Sequence, residues 1–402
     1  MSTIKTRATI EKRATSKSNG GANNLEIEEE IIEEDWSQLM AQEEGGAFSN
    51  ERFSYYDKIT FPLSTTAHTN GTSTKTIPPL TMELCCMGSL TPLDMLDLSN
   101  GECDATGNRI WMGALLFIEC MVRPLPPMNA CRKSESSNSE NEKDLLNCSK
   151  IQALGKLRTM LFRNKQLIEL GAGTGASLIS VGIAGTKDSS IRPSRLTLTD
   201  NDTNVLSLCK MNCVANLKKD IKYKVCRLEW GLQQMLFLAQ KHCESTCTDE
   251  SDYFCMNDAS YQTESQDTVI ATDVIYDLSA LKVLFETASH LVKNGGHFVL
   301  SHVPRASIDC ESNTIREALE RRILEEASKH AFLPLSKQAN TIDNGASSLN
   351  ILGLLGDDDY AIRPSDLTGI WGEGKKIMAS AECDYEEMDS VGASIMIFVK
   401  VS

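Results

Sequence analysis

A glycine-rich turn is the feature of this 402-residue chain with the clearest chemistry. The apolar run Leu167–Leu170 leads into the segment Glu169–Gly175 (ELGAGTG), and the small and apolar run Thr174–Ala184 follows it. Glycines at the junction of a strand and a helix permit positive φ and let a ligand lie against the end of the strand. The segment therefore predicts a binding site for a nucleotide-like cofactor, although a purely structural turn would show the same pattern.

Charges around this turn favour a methyl donor over a nicotinamide cofactor. Glu169 places a carboxylate where it would repel a pyrophosphate but would suit the amino and sulfonium groups of S-adenosyl-L-methionine. Asp200 closes the next strand, where an acid accepts the ribose hydroxyls of either cofactor. The turn has no Lys or Arg and no Walker sequence. We predict that S-adenosyl-L-methionine binds at Glu169, Gly171, Ala172, Gly173 and Asp200; the relaxed fingerprint GxGxxA leaves a nicotinamide oxidoreductase as a rival.

A second group of polar residues closes a later strand, in the segment Thr272-Asp273-Val-Ile-Tyr276. Ligands in open α/β sheets bind outside the carboxyl ends of the strands, so Asp273 and Tyr276 are expected to face the methyl acceptor. We predict that Asp273 orients a substrate ammonium by a charge-assisted hydrogen bond and that Tyr276 walls the substrate channel. Capping of the following turn by Asp273 and simple packing of Tyr276 are the alternatives.

The elements that would position these residues alternate between strand and helix. Such alternation predicts a doubly wound, Rossmann-like α/β sheet, and the last strand, which lacks a preceding crossover helix, is expected to pair antiparallel. The predicted strands are Leu167–Leu170, Leu196–Thr199, Tyr223–Trp230, Thr268–Ile275, His297–Val303 and Ser394–Lys400, and the predicted helices are Thr174–Ala184, Asp202–Lys219, Leu278–Val292 and Thr314–Phe332.

The domain organisation follows from changes in composition along the chain. Residues 1–50 combine a basic start with a block of glutamates, which predicts a disordered tail, with a transit peptide as the alternative for the first 20 residues. Residues 51–402 are expected to form one domain. Stretches near 131–150, 242–266 and 340–390 are polar or acidic and are expected to be insertions.

Composition narrows the classes of function. There are 40 basic and 55 acidic residues, a net charge of −15, which argues against nucleic acid as the main partner. The chain has no run of 18 apolar residues, so no membrane association is expected. It has no CxxC pair, and His242, Cys243, Cys247 and Cys255 lie in a polar stretch, so no metal is expected. The 14 cysteines read as reduced thiols of a cytoplasmic protein, with the nucleus as a second location, and a monomer is the default.

Six motifs in order resemble the seven-strand, S-adenosylmethionine-dependent protein lysine methyltransferases of the methyltransferase-like-21 group. They are Gly107-x-x-Ile110-Trp111, Glu169–Gly175, Thr199-Asp200, Leu228-Glu-Trp230-Gly231, Asp273-Val-Ile-Tyr276 and Val303-Pro-Arg305. The resemblance implies a seven-stranded class I methyltransferase fold and N-methylation of a lysine in a protein substrate. It also implies that Trp230 lies near the adenine, that Thr272 lines the same pocket and that Trp111 closes over the cofactor.

Two departures from the family pattern lie within these motifs. Met112-Gly113 replaces the usual Pro-Ala after the entry tryptophan, and Thr272 stands where the family usually has Ala. Two alternatives therefore accompany the prediction of a lysine methyltransferase. One is a methyltransferase for another acceptor, such as a protein histidine, an N-terminal amine or a small molecule. The other is a catalytically silent binding module with the same fold.

Overall fold

The structure is a computed structural model with two compact units, Met1–Tyr55 and Tyr56–Ser402. It describes residues 7–14, 27–34, 56–62, 81–87, 105–126, 141–218, 221–231, 263–304, 315–335, 360–368, 370–371 and 384–402. In the first unit, β1 (Arg7–Ala14) and β2 (Ile27–Glu34) pair antiparallel, whereas the sequence predicted no strand there. The disorder predicted for residues 1–50 stays a prediction.

The second unit is built on one mixed sheet. In chain order its strands are β5 (Gln166–Leu170), β6 (Arg195–Asp200), β7 (Tyr223–Arg227), β8 (Gln266–Thr272), β9 (Val292–His302), β10 (Phe332–Pro334), β11 (Ala361–Ile362) and β12 (Ser394–Lys400). The spatial order is β10-β12-β9-β8-β5-β6-β7, and the short β11 also pairs with β12. Strands β5 to β9 are parallel, and β12 runs antiparallel to β9. This confirms the predicted doubly wound sheet and its antiparallel last strand.

Both faces of the sheet are buried, as the apolar composition of its parallel strands requires. Successive side chains point to opposite faces, so Leu167 contributes to one apolar cluster and Ile168 to the other. Ile395 and Met396 of β12 divide between the same two clusters. The second cluster contains four mutually packed phenylalanines, with Phe285 and Phe298 in edge contact at 5.2 Å between ring centroids. The core therefore consists of two layers separated by the sheet.

Helices cover both faces. They are α1 (Met112–Met121), α2 (Asn141–Phe162), α3 (Ala176–Gly185), α4 (Thr203–Asn216), α5 (Ser279–Leu291), α6 (Ile315–Lys329), α7 (Pro364–Leu367) and α8 (Tyr385–Ser390). The four predicted helices correspond to α3 to α6 with shifted ends. Asp202 is the N-cap of α4, and its Oδ1 accepts from the Asn204 N–H at 2.7 Å.

Helix α2 occupies part of a stretch that the sequence suggested to be an exposed insertion. Residues 141–150 form its first turns, and its later turns bury Leu154, Leu157 and Leu161 completely. Arg158 is also buried, because its guanidinium donates to the carbonyl oxygens of Cys120 and Arg123 at the end of α1. A cation at the carboxyl end of a helix satisfies carbonyl groups that have no partner within the helix. Burial lowers the pKa of Arg158 to about 10.

The described part of the predicted insertion at 340–390 belongs to the core. It supplies β11, α7 and α8, and Leu367, Ile370 and Met388 are buried in the first apolar cluster. The hydroxyl of Tyr385 donates to Oε1 of the buried Glu119 at 2.6 Å and so ties α8 to α1. The polar composition therefore hid short structured elements. The insertion predicted near 242–266 lies mostly outside the described residues.

A separate hairpin precedes the sheet in the chain. Strands β3 (Tyr56–Pro62) and β4 (Thr81–Met87) pair antiparallel. The side chains of Met82 and Leu84 are fully buried in the first apolar cluster. The hairpin is thus packed onto the same core as the helices of that face.

Among the residues that the structure describes, no helix is long and apolar enough to cross a membrane. Within the same residues no group of three or more His, Cys, Asp or Glu side chains could hold a metal ion, and the candidate cluster around His242 lies outside them. Six described cysteines are reduced, whereas Cys148 is disulfide-bonded, which corrects the expectation that all thiols are reduced.

Candidate active site

A cavity of about 350 Å³ opens at the carboxyl ends of β5, β6 and β8, where an open α/β sheet is expected to bind its ligand. Eight of the ten residues predicted for the site lie in or against it, and two lie behind its wall. The lining residues used below are Arg109, Trp111, Gly171, Ala172, Gly173, Thr174, Ser177, Asp200, Asp202, Leu228, Trp230, Thr272 and Tyr276.

The glycine turn takes the left-handed backbone conformation that its sequence predicts. Gly171 has φ +66° and Gly173 has φ +55°. A Cβ at Gly171 would lie 2.8 Å from Val274 Cγ1 and 3.3 Å from the Trp230 ring, and one at Gly173 would lie 2.9 Å from the carbonyl oxygen of Gly107. The turn is fixed to β6 by a hydrogen bond from the Ala172 N–H to the Thr199 carbonyl oxygen at 2.7 Å. Only glycine fits at these two positions, because the turn packs tightly against Val274, Trp230 and Gly107 while it lines the cavity.

Asp200 lies at the end of β6 and lines the cavity, as predicted. Its Oδ2 accepts from the Gly173 N–H at 3.0 Å, and its Oδ1 accepts from the Asp202 N–H at 3.2 Å. Burial raises the pKa of this carboxyl above its usual value, and the backbone hydrogen bonds oppose the rise. The side chain therefore fixes the glycine turn and presents an acceptor for ribose hydroxyls to the cavity.

Glu169 lies beneath the turn instead of facing the ligand. It is fully buried and is absent from the cavity lining. Its Oε2 accepts from the Leu178 N–H at 3.3 Å, and its Oε1 accepts from the Thr272 hydroxyl at 3.3 Å. Burial raises the pKa of Glu169 to about 7, although hydrogen bonds from Ser177, Leu178 and Thr272 lower it. Glu169 therefore lies behind the wall of the cavity, and its contact with the cofactor stays a prediction.

Two hydroxyl groups connect Glu169 with the cavity. Thr272 Oγ1 and Ser177 Oγ lie 3.0 Å apart, and both residues line the cavity. Thr272 is therefore placed in the pocket as the resemblance implied. The Thr272 hydroxyl, which the usual Ala would lack, forms hydrogen bonds with both Glu169 and Ser177. The two hydroxyl groups therefore connect the buried carboxylate with the lining of the cavity.

Aromatic side chains form the wall of the cavity. Trp230 follows β7 and lies against the turn beside Gly171. Trp111 is the N-cap residue of α1, and its ring meets that of Tyr276 edge to face, with centroids 6.2 Å apart. Tyr276 is 43% exposed, so this pair stands where the cavity meets solvent. All three residues line the cavity.

The side chain of Asp273 does not face the cavity, where the sequence analysis expected it. It has φ +58°, is only 3% exposed and does not line the cavity. Its Oδ2 accepts from the Gly113 N–H in the first turn of α1 at 3.0 Å, and its Oδ1 accepts from the Val303 N–H at 3.4 Å. The predicted contact with the methyl acceptor has no support here. Instead, the carboxylate holds the helix that carries Trp111, where it also favours the positive end of the helix dipole.

This arrangement fits S-adenosyl-L-methionine. The cavity beside Gly171 and Gly173 would admit an adenosyl group, Asp200 would offer an acceptor to its ribose, and Trp230 and Leu228 would offer apolar surface to a purine. Sequence reasoning missed Arg109, Ser177 and Asp202 among the lining residues. Arg109 lies inside the recognised entry motif, whereas nothing in the sequence marked Ser177. Arg305 lies outside the described residues.

The order of the strands, the glycine turn and Asp200 at the end of β6 together define a class I methyltransferase fold with a site for S-adenosyl-L-methionine. Residues 92–265 match the family model described as lysine methyltransferase. The chain is also 30% identical over 130 residues to EEF1A lysine methyltransferase 3 of Xenopus tropicalis, a match that covers 32% of this chain and 43% of that protein. Residues 92–265 are thus similar to the lysine methyltransferase family, and the match with the Xenopus tropicalis protein spans less than half of that relative.

Solved structures of methyltransferases resemble the chain more distantly. Geranyl diphosphate C-methyltransferase from Streptomyces coelicolor A3(2) is 12% identical, with 69% of this chain and 91% of that chain covered and a TM-score of 0.33. A putative SAM-dependent methyltransferase from Streptococcus mutans is also 12% identical, with 63% and 49% covered and a TM-score of 0.33. Scores this low support no further conclusion.

Proposed function

We propose that this protein is an S-adenosyl-L-methionine-dependent N-methyltransferase that methylates a lysine side chain of a protein. One observation carries the proposal: a single cavity joins the glycine turn and Asp200 to the exposed aromatic pair Trp111 and Tyr276. The first part suits an adenosyl cofactor, and the second part suits an acceptor that arrives from solvent. The family match of residues 92–265 supports lysine as that acceptor.

When bound, S-adenosyl-L-methionine would supply a methyl group attached to a sulfonium, whose sulfur would depart as a neutral thioether. A lysine amine attacks the methyl carbon with its lone pair, so its ammonium, with an ordinary pKa of about 10.4, first loses a proton to solvent. The nitrogen–carbon bond forms as the sulfur–carbon bond breaks. The demands on the protein are alignment and exclusion of water, and alignment of this kind can lower a barrier by roughly 7–11 kcal/mol.

The described residues divide these tasks between the two ends of the cavity. Asp200 and the turn at Gly171 fix the position of the adenosyl group. Trp111 and Tyr276 form the walls along which an amine side chain would approach, and aromatic faces attract an ammonium group. Asp273 keeps Trp111 in place through its hydrogen bond to the Gly113 N–H. Tyr276 thus contacts the substrate, whereas Asp273 is a positioning residue.

A protein acceptor agrees with the exposure of Tyr276 at 43%, because an exposed rim can accept a side chain that belongs to a large molecule. EEF1A is the first acceptor to test, since it appears in the name of the similar Xenopus tropicalis protein. The net charge of −15 favours a basic patch on the partner. Cytoplasmic location and a monomeric state stay predictions.

Transfer of a radiolabelled methyl group tests the proposal. The purified chain is incubated with labelled S-adenosyl-L-methionine and either EEF1A or cell extract, and labelled proteins are hydrolysed to identify the methylated amino acid. Label in methyllysine that is absent with Asp200→Ala supports the proposal. Label in methylhistidine, in an N-terminal amine or in a small molecule would replace lysine with another acceptor. The absence of any label despite cofactor binding would favour a silent binding module.

A further inference from the structure

Two asparagines of α4 replace a neighbouring strand along the outer edge of β4. The Glu83 N–H donates to Asn216 Oδ1 at 2.9 Å, and the Cys85 N–H donates to Asn212 Oδ1 at 2.7 Å. In return, the Asn216 amide donates to the Glu83 carbonyl, and the Asn212 amide donates to the Cys85 carbonyl at 3.0 Å. Each side-chain amide therefore behaves as a peptide group would in a β-ladder.

The spacing of the two partners explains this match. Residues four apart on a helix are about 6 Å apart along its axis. Residues two apart on an antiparallel strand are about 6.8 Å apart, and their N–H and C=O groups point to the same side. Asn212 and Asn216 consequently meet Glu83 and Cys85 in register. Both pairs attach the β3–β4 hairpin to α4 in the same way.

Only Asn212 makes a further bond to the cofactor turn. Its Nδ2 donates to the carbonyl oxygen of Thr174 at 2.9 Å, and its side chain is fully buried. Thr174 lies between Gly173 and Gly175 and lines the cavity. Asn216 bonds instead to the Asn212 carbonyl oxygen of its own helix at 2.8 Å. One residue of the pair thus joins the hairpin to the turn, and the other joins it only to the helix.

We propose that Asn212 is a positioning residue for cofactor binding, because it holds the Thr174 carbonyl and thereby couples the β3–β4 hairpin to the glycine turn. The inference rests on the proposed use of S-adenosyl-L-methionine. Hydrogen bonds to neighbouring elements anchor the left-handed turn: Ala172 is held by β6, Gly173 is held by Asp200, and Thr174 is held by Asn212. Loss of the third contact leaves a buried carbonyl without this donor and lets the turn adopt other orientations.

Titration calorimetry of the full chain with S-adenosylhomocysteine tests the positioning role of Asn212. Asn216→Ala is the matched control. Both Asn212→Ala and Asn216→Ala remove a bond pair to β4, so both should lower the melting temperature. Only Asn212→Ala should weaken binding, by about tenfold, as expected for one buried hydrogen bond. Asn216→Ala should bind within about twofold of the unmodified chain. Measurements are made well below both melting temperatures.

Equal affinity of Asn212→Ala and Asn216→Ala would overturn the inference, since a merely structural role affects stability alone. If Asn212→Ala does not fold, the isosteric Asn212→Asp replaces it. That variant keeps the acceptor for the Cys85 N–H but cannot donate to Thr174, so it should also bind about tenfold more weakly. Unchanged affinity in Asn212→Asp would overturn the inference equally. Absence of binding by the unmodified chain would instead contradict the proposed function on which the inference rests.

Discussion

Asp273 and Gly113 are in direct contact across the junction of β8 and α1. The Gly113 N–H donates to Asp273 Oδ2 at 3.0 Å, and a Cβ on residue 113 would lie only 3.0 Å from Asp273 Cβ. The space that glycine leaves is therefore occupied by the aspartate. An alanine here, as in the usual Pro-Ala of the family, would need the aspartate to shift by a few tenths of an ångström.

Asp273→Asn tests whether this contact is structural. Asparagine tolerates the positive φ and keeps one acceptor oxygen, but its NH₂ group cannot accept from the second backbone N–H, at Gly113 or Val303. We expect the free energy of unfolding to fall by about 1–3 kcal/mol, measured by chemical denaturation. An unchanged unfolding free energy together with loss of methyl transfer would contradict the positioning role and restore the predicted substrate contact.

Gly171→Ala tests the space above the cofactor turn, with Gly295→Ala as its control. Both glycines have positive φ, so both substitutions strain the backbone by about 1 kcal/mol. A Cβ at Gly171 would also collide with Val274 and approach Trp230, whereas a Cβ at Gly295 has nothing within 4 Å. Gly171→Ala should therefore abolish binding of S-adenosylhomocysteine, and Gly295→Ala should keep it. Similar affinities in the two variants would show that the turn has more space than described.

Glu169→Gln should change how stability depends on pH. The carboxyl has a pKa of about 7 in the folded protein against an ordinary 4.5, so the folded state binds its proton more tightly. Its contribution to stability is complete below about pH 4.5 and is lost as the pH rises towards about 7. The difference of about 2.5 pKa units corresponds to roughly 3 kcal/mol as an upper bound. Glutamine stays neutral at every pH, so the variant does not lose this stability as the pH rises.

The measurement is the unfolding free energy of both proteins between about pH 5 and pH 8. The difference between the two unfolding curves isolates the contribution of Glu169 from those of nearby groups. Among these, the charge of Asp200 raises the pKa of Glu169 further, and the charge of Glu169 raises the pKa of Cys209. The buried His297 and His302, with pKa values of about 4, contribute equally to both curves. Parallel curves would show that Glu169 ionises normally.

The sequence predicted the sheet and the turn because both depend on local patterns. Apolar runs that end at Gly171 or Asp200 identify strands, and parallel strands place those ends at one edge. The sequence did not predict α2, because Arg158 lies on its buried face and breaks the apolar pattern. Burial of that guanidinium depends on the carbonyl groups at the end of α1, which the sequence does not locate.

Sequence patterns also did not predict the orientation of the two acidic site residues that lie behind the cavity wall. Both Glu169 and Asp273 are near strand ends, as predicted, yet each carboxylate turns towards the backbone N–H groups of a helix. A strand pattern gives the position of a residue along the chain but not the partner that its side chain chooses. The position of Asp200 in the cavity was predicted because its place at the end of β6 already directs it there.

Titration of the purified chain with S-adenosylhomocysteine tests the cofactor class, on which the whole account depends. We predict micromolar binding, no binding of NADH, and a loss of at least about tenfold in Asp200→Ala, which removes the ribose acceptor and its bond to the Gly173 N–H. Asp188→Ala, which removes an exposed carboxylate outside the cavity lining, should bind normally. No binding of S-adenosylhomocysteine by the folded chain, or equal binding by Asp200→Ala, would contradict the account.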